Sequence, residues 1–148
     1  MIEDFCRKFT AKSVDYEKAG NAYYIIPKEL KEIESFTKPV MMGLYLGEDR
    51  KEKFFPSLAL LTILAKTSEE KVCVKDIGEM DFVYGKDLRK RHILKFEGET
   101  KIGFLKIVVN KNGECLGYGK IIGEKNSEGV IVKNVLDIGD YIRREKNL

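Results

Sequence analysis

The sequence contains no Gln and no Trp, one His, three Cys and three Pro, and these shortages exclude several kinds of protein. Cys6, Cys73 and Cys115 are odd in number, far apart and outside any C-x-x-C spacing. Neither a disulfide framework nor a cysteine zinc site is indicated, and the three read as buried small hydrophobes. His92 cannot be joined by any motif to a Ser or Cys nucleophile; it reads as a phosphate or base contact or as an ordinary surface side chain. No run approaches the roughly 18 apolar residues of a membrane span. The start Met1-Ile2-Glu3-Asp4 is acidic where a signal peptide is basic. An intracellular chain with no membrane partner is expected. The missing Gln and Trp, beside 21 Lys, 16 Glu and 14 Ile, follow the direction taken by hyperthermophile proteomes.

Apolar residues make up 43% of the 148 and charged residues 34%, which places the chain in the folded, globular class. The length allows one ordinary domain or two small ones, with no room for a large enzyme. Net charge is only +3, but residues 1–70 carry 11 basic and 12 acidic side chains and residues 71–148 carry 16 and 12. The positive balance belongs to the second part. Glycine changes at the same place, three before residue 70 and ten after, so a boundary near there is expected, with domains of 1–70 and 71–148.

Ile2, Phe5, Cys6 and Phe9 fall at i, i+3, i+4 and i+7 and predict a short amphipathic helix. Ala22 to Ile26 is a β-rich run ending at Pro27, after which Leu30, Ile33 and Phe36 keep helical spacing. Pro39 opens another apolar run, Val40 to Leu46, closed by a charged turn over 47–51; a short strand follows around Phe54 and Phe55, then an apolar helix from Leu58 to Lys66. Beyond residue 70 the pattern is one of short strands and frequent turns, as in a small barrel. Val72 and Val74 face inward, Asp76 is placed to cap a helical turn through Phe82 that ends at Gly85, and Asn112-Gly113 predicts a hairpin between strands 103–110 and 114–122. A strand over 130–135 and a last helix capped by Asp137 complete an α+β chain.

The densest chemical signal is the run from Lys86 to Lys95, with five Lys or Arg in ten residues. Counter-ion release on neutralising phosphates makes such a run a candidate nucleic-acid contact. In a continuous strand Arg89 and Arg91 would share one face and Lys90 and His92 the other. The same residues also fit a solvated edge strand whose lysines block aggregation. Tyr84 and Tyr118 are the aromatic candidates for stacking on bases, with core or rim packing as the alternative. Arg143, Arg144 and Lys146 add cations at a helix end, where they also complement the dipole. Gly117-Tyr118-Gly119 misses the spacing and the strand-to-helix setting of a dinucleotide loop, and its glycines serve tight curvature or a close backbone approach. No catalytic constellation, metal site or cofactor motif emerges.

The string Phe82-Val83-Tyr84-Gly85-Lys86-Asp87-Leu88, the hairpin from Gly113 to Gly119 and the ending Asp137-Ile138-Gly139-Asp140-Tyr141-Ile142-Arg143 together resemble a PUA domain, a small RNA-binding pseudobarrel. The first and last of these strings resemble the Nip-seven family of 60S-type ribosome-biogenesis factors, archaeal and eukaryotic. The likeness covers about residues 20–148, and the chain is shorter at its beginning than the eukaryotic members. It implies an N-terminal α/β domain, a small sheet covered by helices, followed by a PUA-type mixed β pseudobarrel. It also implies a non-catalytic, cytoplasmic protein, nucleolar in a eukaryote, that binds precursor ribosomal RNA of the large subunit, beside pre-ribosomal particle proteins, with a monomer favoured. PUA domains meet RNA at the first helix, the glycine turn after it, the next strand and the neighbouring C-terminal elements. By that resemblance the RNA-binding residues are Tyr84, Gly85, Lys86, Arg89, Arg91, Arg143, Arg144 and Lys146. The competing expectations are an RNA-targeting subunit of a pseudouridine synthase or transglycosylase, and a purely protein-binding module.

Overall fold

The computed structural model describes residues 1–12, 14–25 and 43–140. The helix expected around Leu30 to Phe36, the start of the run at Val40 and the last helix beyond Asp140 lie outside the described residues.

Helix α1, Ile2–Arg7, precedes an antiparallel sheet of β1 (Glu17–Ala19), β2 (Ala22–Ile25), β3 (Leu44–Arg50) and β4 (Lys53–Pro56) in sequential order. Two of these strands correct the sequence expectations. Strand β1 has three exposed residues and hence no apolar alternation to betray it; a two-residue loop, with Gly20 at φ +62, folds it onto β2. Residues 47–50, expected as a turn, are instead strand, pairing Glu48 with Phe55 and Asp49 with Phe54. The turn is Lys51-Glu52, at φ +46 and +67, the left-handed conformation of a tight hairpin. Charge alone does not mark a turn, since a strand with one solvated face also carries it.

Helix α2, Leu58–Thr67, starts where Ser57 Oγ accepts the Leu60 N–H at 3.0 Å, and it buries Leu60, Leu61, Leu64 and Ala65. Next come β5 (Lys71–Val74), α3 (Asp76–Val83), β6 (Leu88–Arg89), a 3-10 turn (Lys90–His92), β7 (Ile93–Phe96), β8 (Leu105–Val109), β9 (Cys115–Ile121) and β10 (Val130–Asp137). Lys75, and not Asp76, is the cap residue of α3. Asp76 lies one position further on, where its charge meets the positive end of the helix dipole. The β8–β9 loop is one residue longer than a minimal hairpin: Lys111 to Gly113 turn between the Asn110–Glu114 pair, with Gly113 at φ +80 and Asn110 Oδ1 accepting the N–H groups of Asn112 and Glu114.

The second sheet runs β6-β10-β9-β8-β5-β7, with β5 and β8 its one parallel pair. Its two edges, β6 and β7, are separated in sequence by only the three residues of the 3-10 turn. A flat six-stranded sheet would hold its edges about 24 Å apart over five spacings. The chain from Arg89 to Ile93 reaches no more than about 14 Å. The sheet therefore curls into a pseudobarrel whose seam is the basic run. Glycine permits the tightest contact of this curl, because a Cβ on Gly117, at φ +141, would lie 2.0 Å from the Leu136 carbonyl oxygen on β10.

Strand β8 shows how the two sheets share their apolar material. Val108 points inward to Val72, Val74, Phe82, Leu88 and Ile131. Ile107 and Val109, with Tyr118 on β9, point outward into a second cluster built from Phe5, Phe9, Leu46, Leu60 and Leu64. Phe5 meets Tyr118 edge-on at 5.4 Å. Lys106, inward and fully buried, places its ammonium 2.6 Å from Glu70 Oε2 and 2.6 Å from the Glu97 carbonyl, while α3 covers the opposite end of β5.

The outer face of the hairpin is thus a core surface of the whole chain. A fragment of residues 71–148 is expected to self-associate, because it uncovers Ile107, Val109 and Tyr118. Replacing Ile107 and Tyr118 by Thr and Ser should make that fragment more soluble in sedimentation while lowering the stability of the full chain, by about 2–5 kcal/mol for such core truncations in urea titration.

Candidate nucleic-acid interface

The basic run does not form one strand. It breaks after Arg89, turns through Lys90–His92 and resumes at Ile93, so the expected alternation of Arg89 and Arg91 against Lys90 and His92 does not hold. The cause is His92. Expected on the surface or against a phosphate, it is 2% exposed and faces inward. Its Nδ1 accepts the Arg89 N–H at 2.8 Å, which leaves Nε2 to donate to Asp81 Oδ2, also at 2.8 Å. Its carbonyl accepts the Lys75 N–H at 2.8 Å. Helix α3 can lie this close because of Gly78, where a Cβ would stand 2.5 Å from the His92 oxygen. The ring therefore ties the seam to the helix that covers the barrel end.

Asp81 gathers the local positive charge. Besides His92 it has Lys86 Nζ at 3.8 Å and Arg91 at 3.9 Å, and the hydrogen bond from His92, helped by these cations, holds its carboxyl below the usual carboxylate range. The glycine turn follows directly. Gly85, at φ +91, donates to the Phe82 carbonyl at 2.9 Å, and Lys86 N–H to that of Asp81 at 3.0 Å. Asn134 on β10 holds the turn from the other side: its N–H reaches Asp87 Oδ1 at 2.8 Å and its side-chain amide reaches the Phe82 carbonyl at 2.9 Å.

These bonds shape a shallow cleft of about 340 Å³ onto which Gly85, Lys86, Arg89 and Arg91 open, with the two carboxylates Asp81 and Asp87. Four of the eight residues expected at the site are thus brought together. Tyr84, beside them, is 73% exposed. Arg143, Arg144 and Lys146 lie outside the described residues. The other aromatic candidate, Tyr118, is a core residue beneath Phe5 and Phe9. Arg89 has no ion-pair partner among the described residues, whereas Lys86 and Arg91 already face a carboxylate. Of the cysteines, Cys6 is buried and Cys73 and Cys115 are half-buried; burial pushes the Cys6 and Cys115 thiols up to about 11. No group of three metal-ligating side chains occurs among the described residues.

Sequence reasoning missed Asp81, Asp87, His92 and Asn134 as the framework of the cleft. Asp81 looks like any solvated helix carboxylate, and only the fold brings it to His92.

The His92 contacts yield a test. His92→Ala leaves the Arg89 N–H without its acceptor and is expected to cost about 1–3 kcal/mol. Because the Asp81 pKa is lowered in the fold, its contribution is present above the ordinary carboxylate range and disappears as pH falls through the lowered value. Asp81→Asn should therefore unfold earlier than the parent near about pH 7 and converge on it in acid, as pH falls through that lowered value, as measured by thermal melts across pH.

Comparison with known proteins agrees with this architecture. The UPF0113 PUA domain matches residues 70–146. The 60S ribosome subunit biogenesis protein NIP7 of Saccharomyces cerevisiae is 32% identical over 136 residues, covering 85% of this chain and 75% of the yeast protein. A UPF0113 protein of Archaeoglobus fulgidus is 30% identical over 163 residues, covering 94% of this chain and 91% of its own. Among solved structures, a conserved PUA domain protein from Thermoplasma acidophilum shares the fold with a TM-score of 0.63 at 16% identity, over 97% of this chain and 91% of that one. No helix among the described residues is long and apolar enough to cross a membrane. The chain belongs to the UPF0113 PUA-domain family, the Nip-seven family that its sequence strings resemble.

Proposed function

We propose that the chain is an RNA-binding factor in the assembly of the large ribosomal subunit, contacting precursor ribosomal RNA and performing no catalysis of its own. The observation that carries this reading is the convergence of Lys86, Arg89 and Arg91 with an exposed Tyr84 at the seam of the barrel. Cations gathered on one cleft take phosphates, and an exposed ring beside them takes a base. Its relatives in two yeasts are named as 60S ribosome subunit biogenesis proteins, which supports the large subunit as the setting. Tyr84, Gly85, Lys86, Arg89 and Arg91 form the contact strip, extended by Arg143, Arg144 and Lys146.

Binding of single-stranded RNA tests it. If about four of the six cations each neutralise one phosphate, log K should fall against log salt with a slope of about −3, at about −0.7 per contact. Arg89→Ala with Arg91→Ala should flatten the slope by about 1.4 and weaken binding to all sequences alike. Asp81→Asn should act oppositely on RNA, tightening it, because it removes an anion from the cleft while destabilising the fold. A double arginine variant with unchanged affinity and slope would place the RNA elsewhere and leave the basic run as a protective edge.

A further inference from the structure

A second cationic surface lies on the same sheet, away from the cleft. Lys120 on β9 and Lys133 on β10 are directly opposed, both exposed, and neither has an ion-pair partner among the described residues. Like charges directly opposite one another destabilise a sheet, so this pair calls for an anion. Lys120 also lines a groove of about 540 Å³ between the end of α1 and the connection from β7 to β8, where Arg7 and Lys8 face Ile102 and Phe104. Arg7 and Lys8 likewise have no ion-pair partner among the described residues. Charge at a helix end complements its dipole, but that accounts for neither Lys120 nor Lys133.

Phe104 is 43% exposed, and its backbone is anchored. The Phe104 carbonyl accepts the Ile121 N–H at 2.8 Å, and the N–H of its neighbour Gly103 donates to the Ile121 carbonyl at 2.8 Å, so the ring stands on backbone locked to β9. The strip is also continuous with the cleft. Arg89 on β6 pairs with Val130 on β10, and Lys133, further along β10, pairs with Lys120 on β9. Leu88 and Val132 fill the interior, so Arg89, Lys133 and Lys120 all point outward from adjacent strands. Two strand spacings separate β6 from β9, about 10 Å.

We propose that a single-stranded RNA seated in the cleft continues across β10 and β9 into this groove, its phosphates on Lys133, Lys120, Arg7 and Lys8 and one base on Phe104. The inference rests on the RNA-binding reading above. Charge complementarity, the opposed lysine pair and an exposed ring on anchored backbone together select a polyanion that also carries flat bases.

Two mixed-sequence, unpaired RNAs separate the two claims: one of about six nucleotides, enough for the cleft, and one of about 16, long enough for both surfaces. With the full chain, Lys120→Ala/Lys133→Ala should flatten the salt slope by about 1.4 on the longer RNA and leave the shorter one unchanged. Phe104→Ala should weaken the longer RNA about tenfold, and Phe104→Tyr should restore it. Removing the opposed lysines relieves their repulsion, so thermal melts of that variant should match or exceed those of the parent, and binding by every variant is measured well below its melting temperature. Unchanged binding of the longer RNA by both alanine variants overturns the proposal, and a strip that takes an acidic polypeptide instead gives this same result. If those variants are silent while the Arg89/Arg91 variant loses affinity, the cleft stands and the extension falls. Absence of RNA binding by the parent chain overturns both.

Discussion

The second sheet is governed by one geometric constraint: its two edge strands are joined by three residues. That connection is too short for a flat sheet, so the strands must curl until β6 and β7 lie near one another. Curling leaves a seam, and the seam is closed by the His92 ring, bonded to Asp81 on the covering helix and to the backbone of Arg89. Arg89 and Arg91, just before His92 in sequence, are consequently directed outward, onto a cleft shaped by the closure itself. Their position follows from a structural bond, and the turn they flank is held in turn by Asn134.

Curling also gives the sheet an outer surface, and the chain uses it. Strand β8 has no solvated face: Val108 lies inside the barrel while Ile107 and Val109 lie under α1 and α2. The small first sheet and its helices are thereby anchored to the barrel through a common core and not through a linker. Lys106 and Glu70 place a buried, paired charge near the opposite end of β5 from α3. A buried pair of this kind adds little net stability over apolar residues, but losing either partner is costly.

Much of the fold was legible in the sequence because its signals are local. The stripe Ile2, Phe5, Cys6 and Phe9, the alternation around Val72 and Val74, and the Asn112-Gly113 turn all state their structure within a few residues. What was not legible depended on distance. Strand β1 has no buried face, residues 47–50 are charged yet paired, and His92 gives no hint in sequence that Asp81 awaits it. The candidate site was read in the same uneven way. Gly85, Lys86, Arg89 and Arg91 were legible through charge density and resemblance. The carboxylates that temper them were not, since Asp81 and Asp87 are ordinary residues until the barrel closes.

The central claim is that RNA lies against the seam of the barrel. Ultraviolet crosslinking of the full chain to single-stranded RNA, with the attachment points read by peptide mass spectrometry, tests it most directly. The account predicts adducts in the segment from Tyr84 to Arg91, at Tyr84 itself if its ring meets a base. Adducts confined to the first sheet, residues 17–25 and 44–56, with none in that segment, would contradict it.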